Sequence, residues 1–192
     1  SFRASGIART ASLVSALLFL SALASGCGCG DAREKAAARL PNFVLVTLDT
    51  TRADHLGTYG YFRDTSPNFD RFAAESVVFD RLIVPMATTL PSHLSILTSS
   101  HPLEHGVLAN TTQGGARFIP APGLTSFAIT AQAAGYATGA FVSAAPLKAG
   151  SGIEVGFDTF RQPTGKNRLG ELTARAALDW LSTLDAEQPY FL

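Results

Sequence analysis

Two short segments hold the residue types for hydroxyl-centred chemistry. One is the apolar run Phe43-Val44-Leu45-Val46-Thr47-Leu48, which ends on Asp49. The other is Thr89-Leu90-Pro91-Ser92-His93. A strand ending in a carboxylate, set near a hydroxyl that precedes a proline-started helix, can build a cation-assisted nucleophile. Asp49 would hold a divalent cation, and the cation would lower the pKa of the Thr89 hydroxyl until its oxygen can attack an ester. Taken singly, Asp49 reads as well as a loop carboxylate or helix cap, and Thr89 as a cap beside Thr88.

Both segments need a scaffold. The unbroken apolar run from Phe43 to Leu48 is the pattern of a strand buried on both faces. Ser66-Pro67-Asn68 opens a helix carrying Phe69, Phe72 and Ala73 at helical spacing, and Val77-Val78-Phe79 reads as a short strand. Pro91 suits the first turn of a helix whose inner face is Leu94, Leu97 and Ile96. A helix is expected over Leu124 to Ala134, stopped by Gly135, followed by a second buried strand from Tyr136 to Val142. Leu172, Ala176, Leu178 and Leu181 mark a helix over Glu171 to Leu184. Gln188 to Leu192 reads as the start of a further strand, with Pro189 where a strand tolerates it. Strands alternating with helices predict an α/β fold: a three-layer α/β/α sandwich around a mainly parallel central sheet. In such sheets ligands bind beyond the carboxyl ends of the strands, where Asp49 stands.

Hydrophobic residues make up 46% of the 192 and charged residues 16%, which predicts a packed core. Lys plus Arg and Asp plus Glu both number 15, so the formal net charge is zero. That balance argues against nucleic acid as a partner, which calls for a basic excess.

The N-terminus reads as an export signal over residues 1–27. Arg3 and Arg9 accompany an apolar stretch from Ala11 to Ala24 that is too short to span a bilayer comfortably. Small residues Ala24-Ser25-Gly26 then precede Cys27, as at a bacterial lipoprotein cleavage site, so that Cys27 would become a lipidated first residue. An ordinary secretory signal cleaved nearby is the alternative. Residues 28–40 read as a tether, and Cys29 lies too close to Cys27 for a disulfide framework. The expected compartment is the bacterial cell envelope, with the membrane reached through the lipid anchor alone. The first residue is Ser1 and the last residues only begin a strand, so the expectation is the front part of a longer protein.

Leu48-Asp49-Thr50-Thr51-Arg52-Ala53-Asp54-His55-Leu56-Gly57, Tyr59-Gly60-Tyr61, Pro67-Asn68-Phe69-Asp70 and the Thr89 pentad stand in the order of one family's motifs. His105-Gly106-Val107, Gly135-Tyr136-Ala137-Thr138 and Gly156-Phe157-Asp158 continue it. Together they resemble the sulfatase family, of the alkaline-phosphatase-like superfamily, over residues 41–192. The resemblance implies a hard cation, calcium first, with manganese or zinc as alternatives. Asp49 would be its first carboxylate ligand and Thr89 both ligand and nucleophile. Many members have a second Asp where Thr50 stands, and the family's remaining carboxylate ligands would fall beyond Leu192.

Thr89 aligns with the nucleophile of the family pattern Cys/Ser-x-Pro-x-Arg. Members with that pattern oxidise Cys or Ser to formylglycine. Threonine is a secondary alcohol whose oxidation would give a ketone, and no cysteine follows residue 30 to replace it, so that route is not expected here. Threonine is the nucleophile in phosphodiesterase and phosphotransferase branches of the superfamily. His93 stands where the family has the Arg that orients the nucleophile. Asn110 resembles the amide that contacts a substrate oxygen, and Ser143 takes the place of a substrate-binding Lys. His55, His101 and His105 receive no role; Asp54 and Asp158 read as structural, and Trp180 as core. The implied function is metal-dependent hydrolysis of sulfate or phosphate esters on small molecules or glycans. The alternatives are a non-catalytic sulfatase-like surface module and an envelope phosphotransferase working through a phospho-threonine.

Overall fold

The computed structural model describes residues 39–192. The export signal, Cys27 and the tether up to residue 38 lie outside them. The described residues form helices α1 (Pro67–Ala74), α2 (Thr89–Thr98), α3 (Pro102–His105), α4 (Phe127–Ala133) and α5 (Gly170–Leu181). The strands are β1 (Ala137–Phe141), β2 (Thr159–Arg161) and β3 (Tyr190–Phe191), in the order β2-β1-β3. Both pairings are parallel, with Gly139 opposite Thr159 and Thr138 opposite Phe191.

Side-chain alternation along β1 builds the layers. Gly139 and Phe141 face α5, where a Cβ on Gly139 would lie 2.8 Å from the Trp180 ring. That indole also meets Phe141 at 5.9 Å and Tyr190 at 6.3 Å between ring centroids. On the other face Thr138 is fully buried, and Phe191 packs edge-on to Phe127 of α4. The core lies there: Leu90, Leu94 and Leu97 of α2, Ala128 and Ala131 of α4, with Val107, Tyr136, Leu147, Ile153 and Phe191. Helices thus cover both faces of a parallel sheet, as the alternation of elements predicts.

Local chemistry sets the helix ends. The Ser126 hydroxyl accepts the Ile129 N–H, so α4 begins at Phe127, three residues later than expected. Gly135, with φ 85, turns the chain from α4 into β1. Pro67 opens α1, as its fixed φ favours.

Three expectations are corrected. The Phe43–Leu48 run is not buried on both faces. It is extended chain rather than the expected strand: it makes one isolated parallel bridge to β3, Phe43 opposite Phe191, with Phe43 N–H donating to Tyr190 O, Leu45 N–H to Leu192 O and Leu192 N–H to Phe43 O, and no ladder bond beyond Leu45. Among the described residues it lies at the sheet edge, however, and Val44, Val46 and Leu48 are 55%, 73% and 54% exposed because nothing there packs on that side. Val77-Val78-Phe79 forms no strand, since no strand pairs with it among the described residues, and Val77 is 83% exposed. Ile96 points away from the core formed by Leu94 and Leu97. Strand β2 was not expected; only its pairing with β1 defines so short a segment.

Candidate active site at the carboxyl edge of the sheet

The edge segment carries its odd-numbered residues toward the helices of the core face. Phe43 meets Phe127 and Tyr136 there, and period-two alternation puts Thr47 and Asp49 on the same side. The chain turns immediately after Asp49, with Thr50 at φ 61. A β-branched residue in the left-handed region is strained, and this one holds the turn that follows the extended segment at the carboxylate.

Helix α2 meets that end with its first turn. The Thr89 hydroxyl donates to Asp49 Oδ2 at 3.0 Å, across forty residues of chain. The two groups proposed from sequence to share a cation are therefore adjacent. His93, one helical turn on, also faces the strand. Its Nδ1 lies 2.8 Å from Thr89 O and its Nε2 3.0 Å from the Thr47 hydroxyl. A carbonyl only accepts, so Nδ1 carries the proton, and in the neutral ring Nε2 accepts from Thr47. His93 thus reaches Thr89 through its carbonyl and not through the Thr89 hydroxyl.

Asn110 comes to the same helix start. Its Oδ1 accepts the Leu90 N–H at 2.8 Å, which leaves Nδ2 without a protein hydrogen bond among the described residues. The donors at this helix start are few. Leu90 N–H is taken by Asn110, Pro91 has none, and Ser92 N–H bonds Thr88 O. The Thr89 N–H and the Asn110 amide are what remain for an anion.

The other residues singled out in the sequence make local contacts of their own. Ser143 bonds the Thr173 hydroxyl at 2.7 Å. Asp158 accepts from Gln132 Nε2 and from the Thr138 backbone and hydroxyl, and these bonds, Gln132 foremost, hold its carboxyl below the usual carboxylate range. Asp54 pairs with Arg52, which lowers its pKa strongly. His101 caps α3 in a reciprocal pair with Glu104. His105 is fully buried, its Nδ1 accepting Val107 N–H and its Nε2 3.1 Å from the Ser95 hydroxyl; burial pushes its pKa down. Trp180 is half-buried between α5 and the sheet.

Asp49 and Thr89 supply hard oxygen donors of the kind calcium takes, on one side of a potential ion. Calcium surrounds itself with about 6–8 oxygens, and among the described residues no three His, Cys, Asp or Glu side chains gather. The donor set fits part of a hard-cation site.

The sulfatase family model matches residues 41–172, more than half of the chain, and the chain belongs to the sulfatase family. It is 36% identical over 108 residues to arylsulfatase A of Homo sapiens, covering 54% of this chain and 20% of that protein. To the bis(5'-adenosyl)-triphosphatase ENPP4 of Bos taurus it is 33% identical over 95 residues, covering 49% of this chain and 20% of that protein. The chain thus spans about a fifth of the length of these relatives. Among solved structures, the phosphonate monoester hydrolase of Agrobacterium radiobacter superposes with a TM-score of 0.61 at 18% identity, over 79% of this chain and 40% of that one. That likeness places the fold among alkaline-phosphatase-like α/β sandwiches.

Thr47, the strained Thr50 and the Asn110–Leu90 bond were not anticipated. Thr47 reads as one more β-branched residue in an apolar run, and its polar atom is the only signal that could have singled it out.

Proposed function

We propose that this chain carries the nucleophile end of a metal-dependent hydrolase of sulfate or phosphate esters, with Thr89 as nucleophile. The observation that carries the proposal is the 3.0 Å hydrogen bond from Thr89 Oγ1 to Asp49 Oδ2, which sets the hydroxyl proton on an acceptor at catalytic distance. In this reading Thr89 Oγ1 attacks the phosphorus or sulfur of the ester as its proton leaves toward Asp49. The bond to the leaving alcohol breaks, and that oxygen takes a proton from water. A second water then hydrolyses the Thr89 ester and restores the hydroxyl. Asn110 Nδ2 and the Thr89 N–H would donate to the oxygens on which charge develops. A divalent cation held by Asp49 and Thr89 would lower the hydroxyl's pKa and offset charge on the transferred group; calcium is first, with manganese or zinc as alternatives.

Threonine inclines the reading toward phosphate esters of small molecules or glycans. The family match with arylsulfatase A keeps sulfate esters in scope, while that with a bis(5'-adenosyl)-triphosphatase suits phosphorus. Export to the cell envelope, with a lipid anchor at Cys27, is the compartment of this reading, and cell fractionation of the natural protein decides it. The non-catalytic alternative is favoured by the residues of this sequence itself: Thr50, His93 and Ser143 stand where the resemblance calls for a second Asp, an Arg and a Lys.

The test is a panel of aryl sulfate, phosphomonoester and phosphodiester substrates on the natural full-length protein with Ca, Mn and Zn. Thr89→Ala is expected to abolish turnover and Thr89→Ser to retain part of it. Turnover undiminished in Thr89→Ala would remove the assignment, and inertness of the unaltered protein on every ester would favour the non-catalytic module.

A further inference from the structure

Two pairs of residues meet between the sheet edge and α2. Thr47 and Asp49 are two apart on an extended segment, and Thr89 and His93 four apart on a helix, so each pair projects from one face. The contacts run in matched order: Asp49 to Thr89 at 3.0 Å and Thr47 to His93 at 3.0 Å. A third bond, His93 Nδ1–H to Thr89 O at 2.8 Å, closes the ring on the helix side.

One hydrogen bond between a strand and a helix is a pivot about which the first turn can rotate. Two bonds about one helical turn apart remove that freedom. We propose that Thr47 is a positioning residue: its hydroxyl, donated to His93 Nε2, locks the first turn of α2 against the sheet edge so that the Thr89 hydroxyl stays on Asp49. Thr47 acts through His93 and does not touch the reacting atoms. The lock matters because Thr89 has a second hydroxyl-bearing neighbour in Thr88 and sits at a helix end, where the backbone is least restrained. Small errors in nucleophile placement are costly to rate. The inference rests on the Thr89 reading, since it concerns the precision of that nucleophile.

The hydroxyl can be removed without altering shape. Thr47→Val keeps the branched Cβ that suits a strand and deletes only the donor. In the natural full-length protein, Thr47→Val is expected to lower kcat about tenfold, the effect of one lost hydrogen bond of ordinary strength, with KM moved less than about twofold. Thr47→Ser restores the hydroxyl and is expected to recover most of kcat. In a His93→Ala background the Thr47→Val change is expected to cost nothing further, since the partner it acts through is gone. Circular dichroism confirms that each variant is folded.

Unchanged kcat in Thr47→Val overturns the inference. So does a Thr47→Ser variant as impaired as Thr47→Val, or the same tenfold loss when His93 is already absent. Turnover surviving in Thr89→Ala strikes the nucleophile assignment instead, a result the Thr47 series cannot produce.

Discussion

Gly156→Ala is expected to be among the most damaging single-methyl additions in this domain. Gly156 has φ 94, and a Cβ there would lie 2.4 Å from Ile129 N and 2.8 Å from Ala128 C. Both are backbone atoms of α4, so no side chain can swing aside. The left-handed conformation costs an L-residue about 1–2 kcal/mol, and forcing a methyl into a closed contact adds about 1–3 kcal/mol. The sum, about 2–5 kcal/mol, is a large share of the ~5–15 kcal/mol that holds a typical domain folded. The damage would also spread to β1, because Gly156 O accepts the Thr138 hydroxyl at 2.9 Å and Thr138 is fully buried in the central strand. Urea unfolding of the natural protein, followed by far-ultraviolet circular dichroism, measures the change. Gly114→Ala is the control: a Cβ there meets nothing within 4 Å, and a shift under about 0.5 kcal/mol is expected. If the two variants unfold at the same urea concentration, the close approach of this loop to α4 is wrong.

Acid should destabilise the domain through His105. Its ordinary pKa is 6.5 and burial lowers the folded value, so the unfolded chain takes up the proton first. The contribution is full above about pH 6.5 and is lost as pH falls through the folded pKa. Protonating Nδ1 would also set a proton against the Val107 N–H it now accepts. Unfolding curves from pH 7.5 to 5 should show stability falling with pH, and a flatter profile in His105→Gln; equal slopes would refute the assignment. Asn110→Asp keeps an acceptor for Leu90 N–H but removes the amide donors. It should unfold within about 1 kcal/mol of the parent while turnover drops about a hundredfold; full turnover would dismiss Asn110 as a donor to substrate.

Much of the fold was legible because local chemistry specifies it. Pro67 opens its helix and Pro91 sits in the first turn of its own, Gly135 marks the turn into β1, and the apolar run before Asp49 forms the extended segment that leads to the turn at Thr50. The adjacency of Asp49 and Thr89 could be anticipated from motif order, although nothing local links residues forty apart. What failed was burial. Periodicity reports that Phe43–Leu48 and Val77–Phe79 are apolar, but whether a neighbour covers them is a tertiary fact, and for Val46 and Val77 none does among the described residues. His93 was expected to orient the nucleophile; that its ring does its bonding to Thr89 O and the Thr47 hydroxyl is a geometry fixed by side-chain rotamers that spacing does not encode.

The ladder joining Phe43 and Leu45 to β3 uses only one margin of that segment. Val44 and Val46 turn their amides and carbonyls the other way, within a stretch from Phe43 to Leu48 that has no proline and no charge. Open margins of this kind recruit further chains into cross-β stacks. For the 192-residue chain, whose described residues leave that margin uncovered, self-association in concentrated solution is the expected outcome, and a lysine introduced by Val46→Lys is expected to reduce it.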